Sequence, residues 1–169
     1  MIKFGTGGWR AVIGDDFIYW AFRFAKDAVK ETAGKYAEKY GVSATDEEAL
    51  KSICPVLVYN DYNEWVSDKK AAIIGVLQRS TKEHGSILGE GLIDGIGMQG
   101  HLSDNNDIDE YVAALKEYAA LVNEVHITEL DVDEPKNTEA SQKKLAGRYK
   151  ALFNLFRTLK EEGANITNV

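Results

Sequence analysis

Three short apolar runs, residues 56–60, 93–101 and 123–132, are kept apart by amphipathic stretches, and this alternation constrains the fold more than any other feature. Between the runs, apolar residues recur three and four apart. They are Phe22, Ala25, Val29, Ala33 and Ala37 over 19–40, Ala71, Ile74 and Leu77 over 68–83, and Tyr149, Leu152, Phe153, Phe156 and Leu159 over 139–162. That spacing lines one face of a helix. A further helix is predicted from Asp107 or Asp109 to Leu121, and a short one, capped by Thr45 or Asp46, through Ile53. Asp15 or Asp16 is positioned to cap the first helix, Ser67 the one over 68–83, and residues 165–169 open a fourth strand. Strand and helix in strict succession predict an α/β fold of parallel βα units, because a parallel pair needs a crossover long enough to hold a helix.

The chain of 169 residues is long enough for one domain with a real core. Its formal net charge of −7 disfavours a phosphate-binding surface, so no nucleic-acid partner is expected. No apolar run approaches the ~20 residues of a membrane span, and the N-terminus lacks the apolar core of a secretory signal. Cys54 is the only cysteine, which excludes an internal disulfide and a cysteine metal cluster and leaves it to pack as a small hydrophobe. Asp104, Asp107 and Asp109 lack the glycine and terminal glutamate of a calcium loop, so helix capping explains them better. No metal and no cofactor are expected.

Chemistry in parallel α/β folds collects at the carboxyl ends of strands. The first run ends in Tyr59-Asn60-Asp61-Tyr62-Asn63-Glu64-Trp65, dense in aromatics and amides. The second ends in Gln99-Gly100-His101, with Gln99 and His101 on one face beside Gly95 and Gly97. The third ends in Glu129-Leu130-Asp131. As one regular strand, 123–132 would put Glu129 and Asp131 on the face of Val125 and Ile127, with His126, Thr128 and Leu130 opposite. A carboxylate on an aliphatic face is costly to bury, which marks Glu129 for chemistry or for a specific partner. Aromatic platforms, amides and carboxylates in one cleft suit a carbohydrate, whose rings stack and whose hydroxyls take hydrogen bonds. His84 and His126 read as structural, the second because it faces away from Glu129.

The segments Leu57-Val58-Tyr59-Asn60-Asp61-Tyr62-Asn63, Ile93-Asp94-Gly95-Ile96-Gly97-Met98-Gln99-Gly100-His101 and Val125-His126-Ile127-Thr128-Glu129-Leu130-Asp131 resemble, in order, three signature strands of the family 10 glycoside hydrolases. These are endo-1,4-β-xylanases built on a (β/α)8 TIM barrel. Gly14-Asp15-Asp16-Phe17-Ile18 and Ala21-Phe22-Arg23-Phe24-Ala25 are similar to the family's helix after the fourth barrel strand. The resemblance runs from about Ile13 to Val169. It implies a partial barrel, roughly the second half, with strands 5–7 and the start of strand 8. The barrel domain would span 19–169 with an insertion at 30–53, behind a glycine-rich segment at 1–18.

By that resemblance Glu129 is the nucleophile of a retaining mechanism, and His101 and Asp131 hydrogen-bond around it to keep it ionised and oriented. Gln99 sits at the cleavage point, and Tyr59 and Asn60 contact the sugar on the leaving-group side, Tyr59 by stacking. The substrate implied is xylan or a xylo-oligosaccharide, and the parent enzyme is expected to be extracellular. The family's acid/base glutamate lies in a Trp-Asp-Val-Val-Asn-Glu-like strand, and no such segment occurs in the 169 residues. The chain is therefore expected to be a fragment, inactive in isolation, whose partner is the missing N-terminal half-barrel. An alternative is a carbohydrate-binding or half-barrel association module without activity of its own. A third reading comes from residues 3–17, which resemble the N-terminus of bacterial phosphohexomutases, where the glycine loop and Arg10 bind a sugar phosphate. The mutase's phosphoserine loop and its Asp-Gly-Asp motif are both absent.

Overall fold

The computed structural model describes residues 17–81, 91–103 and 105–169. The glycine loop with Arg10, the capping role of Asp15 or Asp16, His84 and Asp104 lie outside the described residues. The elements are α1 (Phe17–Tyr40), α2 (Glu47–Ile53), β1 (Val58–Asp61), α3 (Ser67–Thr81), β2 (Gly95–Met98), β3 (His101–Ser103), α4 (Ile108–Ala119), β4 (Glu124–Ile127), β5 (Asp131–Asp133), α5 (Glu139–Glu161) and β6 (Ile166–Asn168). Asp46 caps α2 by accepting the Ala49 N–H, and Asp107 caps α4 by accepting the Asp109 N–H. Thr138 opens α5 in a reciprocal capping box with Ser141. The helix expected over 68–83 begins at Ser67 itself.

Four strands form one parallel sheet in the order β1-β2-β4-β6. One face is covered. Ile96, Met98, Val125, Ile127 and Ile166 pack into a single core with Ile73 and Leu77 of α3, Tyr111, Leu115 and Tyr118 of α4, and Leu152, Phe156 and Leu159 of α5. The other face carries Asn60, Gly97, His126 and Thr128 and is open among the described residues. Successive parallel strands with their helices on one side are part of a (β/α)8 barrel, whose interior face is the uncovered one.

The second and third apolar runs each divide into two strands. β3 continues β2 beyond Gln99 and Gly100, β5 continues β4 beyond residues 128–130, and the two continuations pair in parallel as a small second sheet. Met98 pairs with Ile127, but His101 pairs with Asp131. Thr128, Glu129 and Leu130 therefore stand opposite Gln99 and Gly100 alone, a bulge of one extra residue. Its effect is visible in burial. Val125 and Ile127 face the helices, yet beyond the bulge it is Val132 that is buried, while Asp131 is exposed. This corrects the regular-strand reading of 123–132. Glu129 and Asp131 do not share the face of Val125 and Ile127, and His126 lies on the open face with Thr128.

Residues 30–53 complete α1, turn, and form α2. Val29, Ala33 and Ala37 pack there on Leu50 and Cys54 in a small separate core, with Cys54 as a buried free thiol. The start of β2 anchors α1. Lys26 Nζ reaches both carboxyl oxygens of Asp94, at 2.6 and 2.8 Å, and Asp94 Oδ2 also accepts the Leu57 N–H at 2.8 Å. The Asp94 carbonyl takes the Asn123 and Glu124 N–H groups, so one residue ties α1 to the entries of β1, β2 and β4.

Candidate active site

The bulge turns the end of the third run outward. Thr128 N–H still donates to the Met98 carbonyl and Glu129 N–H to the Gln99 carbonyl, so the irregular segment stays laced to its neighbour. Asp131 N–H then donates to the Gly100 carbonyl at 3.3 Å. The geometry that results brings three sequence-predicted residues together. His101 Nδ1 lies 2.9 Å from Asp131 Oδ1, and His101 Nε2 lies 3.5 Å from Glu129 Oε2. All three side chains reach solvent; His101 is 41% exposed.

The electrostatics follow from this placement. The hydrogen bond to Asp131 raises the His101 pKa, its partial burial opposes this, and the charges of Asp131 and Glu129 raise it further. Protonated His101 presents an N–H to each carboxylate at once. The neutral ring can donate to only one, which makes the imidazolium the form that suits a histidine lodged between two acids.

Asn60 stands on the open face beside this cluster. Its Oδ1 accepts Thr128 Oγ1 at 2.9 Å. It can lie flat there because its partner across the strands is Gly97, where a Cβ would fall 2.4 Å from Asn60 Oδ1. Gln99 follows Gly97 at the strand end and is half-buried. Tyr59 goes the other way. Strand alternation turns it from the open face, its ring packs 6.3 Å from that of Phe22, and its hydroxyl bonds Asp61 Oδ2. Burial and the Asp61 contact push its pKa well above the usual phenol range. The structure thus brings Glu129, His101, Asp131, Asn60 and Gln99 to one end of one face, and leaves Tyr59 in the wall beneath. Tyr62 is the exposed aromatic of that loop, with Lys69 Nζ 4.7 Å from its ring centre.

Thr128 and Glu64 were not among the residues singled out from the sequence. Alternation put Thr128 opposite Val125 and Ile127, where it lies, but it also put Glu129 on the other face, away from it. Glu64 is fully buried beneath the Gly100 turn, and its burial pushes the carboxyl pKa up. A carboxylate between Asn63 and Trp65 in a polar loop carries no local sign of burial. Among the described residues no group of His, Cys, Asp and Glu is arranged to hold a metal ion, and no helix is long and apolar enough to cross a membrane.

A family model for glycosyl hydrolase family 10 matches residues 3–169. An endo-1,4-beta-xylanase of Geobacillus stearothermophilus is 36% identical over 170 residues, covering 94% of this chain and 43% of that protein. A putative endo-1,4-beta-xylanase of Caldicellulosiruptor saccharolyticus is 34% identical, covering 94% of this chain and 46% of that protein. The crystal structure of an intracellular xylanase from Thermoanaerobacterium saccharolyticum superposes with a TM-score of 0.68 at 29% identity, over 99% of this chain and 44% of that one. The chain thus spans less than half the length of the relatives it matches. The family match takes in the glycine-rich run as well as the parallel strands and the cluster at their ends. This chain belongs to glycosyl hydrolase family 10.

Proposed function

We propose that the chain supplies the nucleophile side of a retaining endo-1,4-β-xylanase active site, acting on xylan or xylo-oligosaccharides. The carrying observation is the triad of Glu129, His101 and Asp131 at the carboxyl ends of adjacent parallel strands. The xylanase relatives supply the substrate class. In the first step a Glu129 carboxylate oxygen attacks the anomeric carbon, the glycosidic C–O bond breaks, and the leaving oxygen takes a proton from an acid. Water then attacks the same carbon, losing its proton to that group, and Glu129 is released. His101 orients the attacking carboxylate through Nε2 while Asp131 fixes the ring through Nδ1. Asn60, its Oδ1 taken by Thr128, offers its amide nitrogen to a sugar hydroxyl, and Gln99 does the same nearer the cleavage point.

Retention requires a second carboxyl about 5–5.5 Å from the nucleophile. The family's Trp-Asp-x-x-Asn-Glu segment is not among the 169 residues. The proton donor on this reading comes from another part of a complete barrel, and the isolated chain does not turn over xylan. Glu129→Gln in the full barrel is expected to abolish hydrolysis while binding of xylo-oligosaccharides persists. Normal turnover by that variant would remove Glu129 from the nucleophile role.

One observation favours a second reading, in which the chain acts by association. Among the described residues β1 and β6 each have an unpaired edge, and the sheet's inner face is uncovered. Xylanase activity recovered on mixing this chain with the complementary half-barrel supports that reading. A monodisperse, inert monomer under the same conditions counts against it.

A further inference from the structure

The chemistry above uses carboxyls on the open face and leaves one on the covered side without a role. Glu64 sits in the turn between β1 and α3, where Asn63 takes a left-handed conformation (φ 52°) and sends the next side chain inward. It is 0% exposed. An apolar side chain would fill such a place at lower cost, so a carboxyl there implies a specific partner. Asp61 is the last residue of β1, and its carbonyl is taken by the Gln99 N–H. The next amide, Gly100 N–H, donates to Glu64 Oε1 at 3.2 Å. The side chain of Glu64 thus stands in for a strand that has ended.

Gly100 is where this matters. It turns the chain from β2 into β3 at φ 75°, a conformation natural to glycine. A Cβ there would meet Tyr111 Oη at 3.3 Å and Ile127 and Leu130 at 3.4 Å. Its N–H is held by Glu64, its carbonyl receives the Asp131 N–H, and His101 is the next residue. One peptide turn therefore carries His101, the partner of Glu129, and receives Asp131, which holds the His101 ring. Glu64 is fixed in its turn, since its own carbonyl accepts Tyr118 Oη at 2.6 Å. Its Oε2 and Tyr111 Oη have no hydrogen-bond partner among the described residues. Titratable groups near it are Asp61, His101, Tyr111 and Tyr118.

We propose that Glu64 is a positioning residue of the active site: by holding the Gly100 amide from the buried side, it sets where His101 and Asp131 stand relative to Glu129. The functional meaning rests on the nucleophile reading above, but the coupling of Glu64 to His101 exists whether or not Glu129 attacks a sugar. The test therefore needs no substrate. In the histidine-15N-labelled 169-residue chain, only His84, His101 and His126 give ring signals, and His101→Gln assigns the one of interest.

Glu64→Gln keeps an acceptor oxygen for the Gly100 N–H, and Glu64→Met removes it. The expected result is a His101 midpoint in E64M that falls toward the ordinary histidine value, with His126 unmoved, and an E64Q titration that stays with the wild type. An unchanged His101 in folded E64M overturns the proposal. So does an equal shift in E64Q and E64M, since Glu64 would then act through its charge and not through the Gly100 amide. Should E64M not fold, Glu64→Asp withdraws the carboxyl from Gly100 without deleting it. His101 must again titrate lower, and an unchanged midpoint in folded E64D overturns the proposal equally.

Discussion

Replacing Lys26 by Met keeps the length and most of the volume of the side chain and deletes its charge. Lys26 and Asp94 are 1% and 4% exposed, so water cannot take over for either partner. With Lys26 gone, Asp94 keeps one donor, the Leu57 N–H at 2.8 Å, and loses the bidentate contact from Nζ. Breaking a buried pair in this way costs about 3–5 kcal/mol. A urea m-value of about 2 kcal/mol/M converts that into a midpoint lower by about 2 M. The melting temperature should fall by roughly 10 °C, at about 2–4 °C per kcal/mol for a chain of this size. Urea unfolding followed by far-UV circular dichroism and tryptophan fluorescence reads the change. Asp94→Asn preserves an acceptor for Leu57 and should also destabilise, because it strands the lysine. The double variant K26M/D94N should lose less than the sum of the two, as neither partner then remains alone. A K26M midpoint within about 0.5 M of wild type, which is about 1 kcal/mol, would refute the reasoning. Strict additivity in the cycle would refute it as well.

Gly97→Ala drives a Cβ into the Asn60 side chain, with Oδ1 at 2.4 Å and Cγ at 2.9 Å. A loss of about 1–3 kcal/mol is expected in urea unfolding, with most of it recovered when Asn60→Ala is added. Thr138→Ala removes the acceptor for the Ser141 N–H and one side of the capping box. It should lower stability by about 1 kcal/mol in the same assay. The His101 pKa is raised on folding, so the stability this residue contributes is fully present below the unfolded histidine value of about 6.5. It is lost as pH rises through the higher folded value. The stability difference between wild type and His101→Gln should accordingly narrow from pH ~6 to pH ~9, and a difference that grows over that window would contradict the assignment of the His101 contacts.

What could be read in the sequence was whatever a segment reveals about itself. The spacing of Tyr149, Leu152, Phe156 and Leu159 gives α5 because a helix repeats its own face, and Asp46 and Asp107 cap because the bond they make is local. Glu129, His101 and Asp131 could be grouped because strand ends in a parallel sheet are neighbours by construction. Three features were hidden for a common reason. The bulge is a difference of one residue between two strands, and neither run alone displays it. The pairing of Lys26 with Asp94 joins positions 68 apart, and Glu64 is buried by α4 and by the Gly100 turn. Each is settled by tertiary packing, to which a local pattern is blind.

The extra residue among Thr128, Glu129 and Leu130 works as a phase shifter. Upstream of it the strand hands Val125 and Ile127 to the helices; downstream it hands them Val132 and keeps Asp131 for solvent. What this segment has to conserve is therefore its length before its composition. A one-residue deletion at Leu130 would leave every reactive group in the chain. It would also restore simple alternation, sending Glu129 toward α4 and α5 while Asp131 and Val132 keep their present faces. A single residue thus keeps Glu129 off the helix-facing side of its strand, and on the proposed nucleophile reading the chemistry depends on that mismatch being maintained.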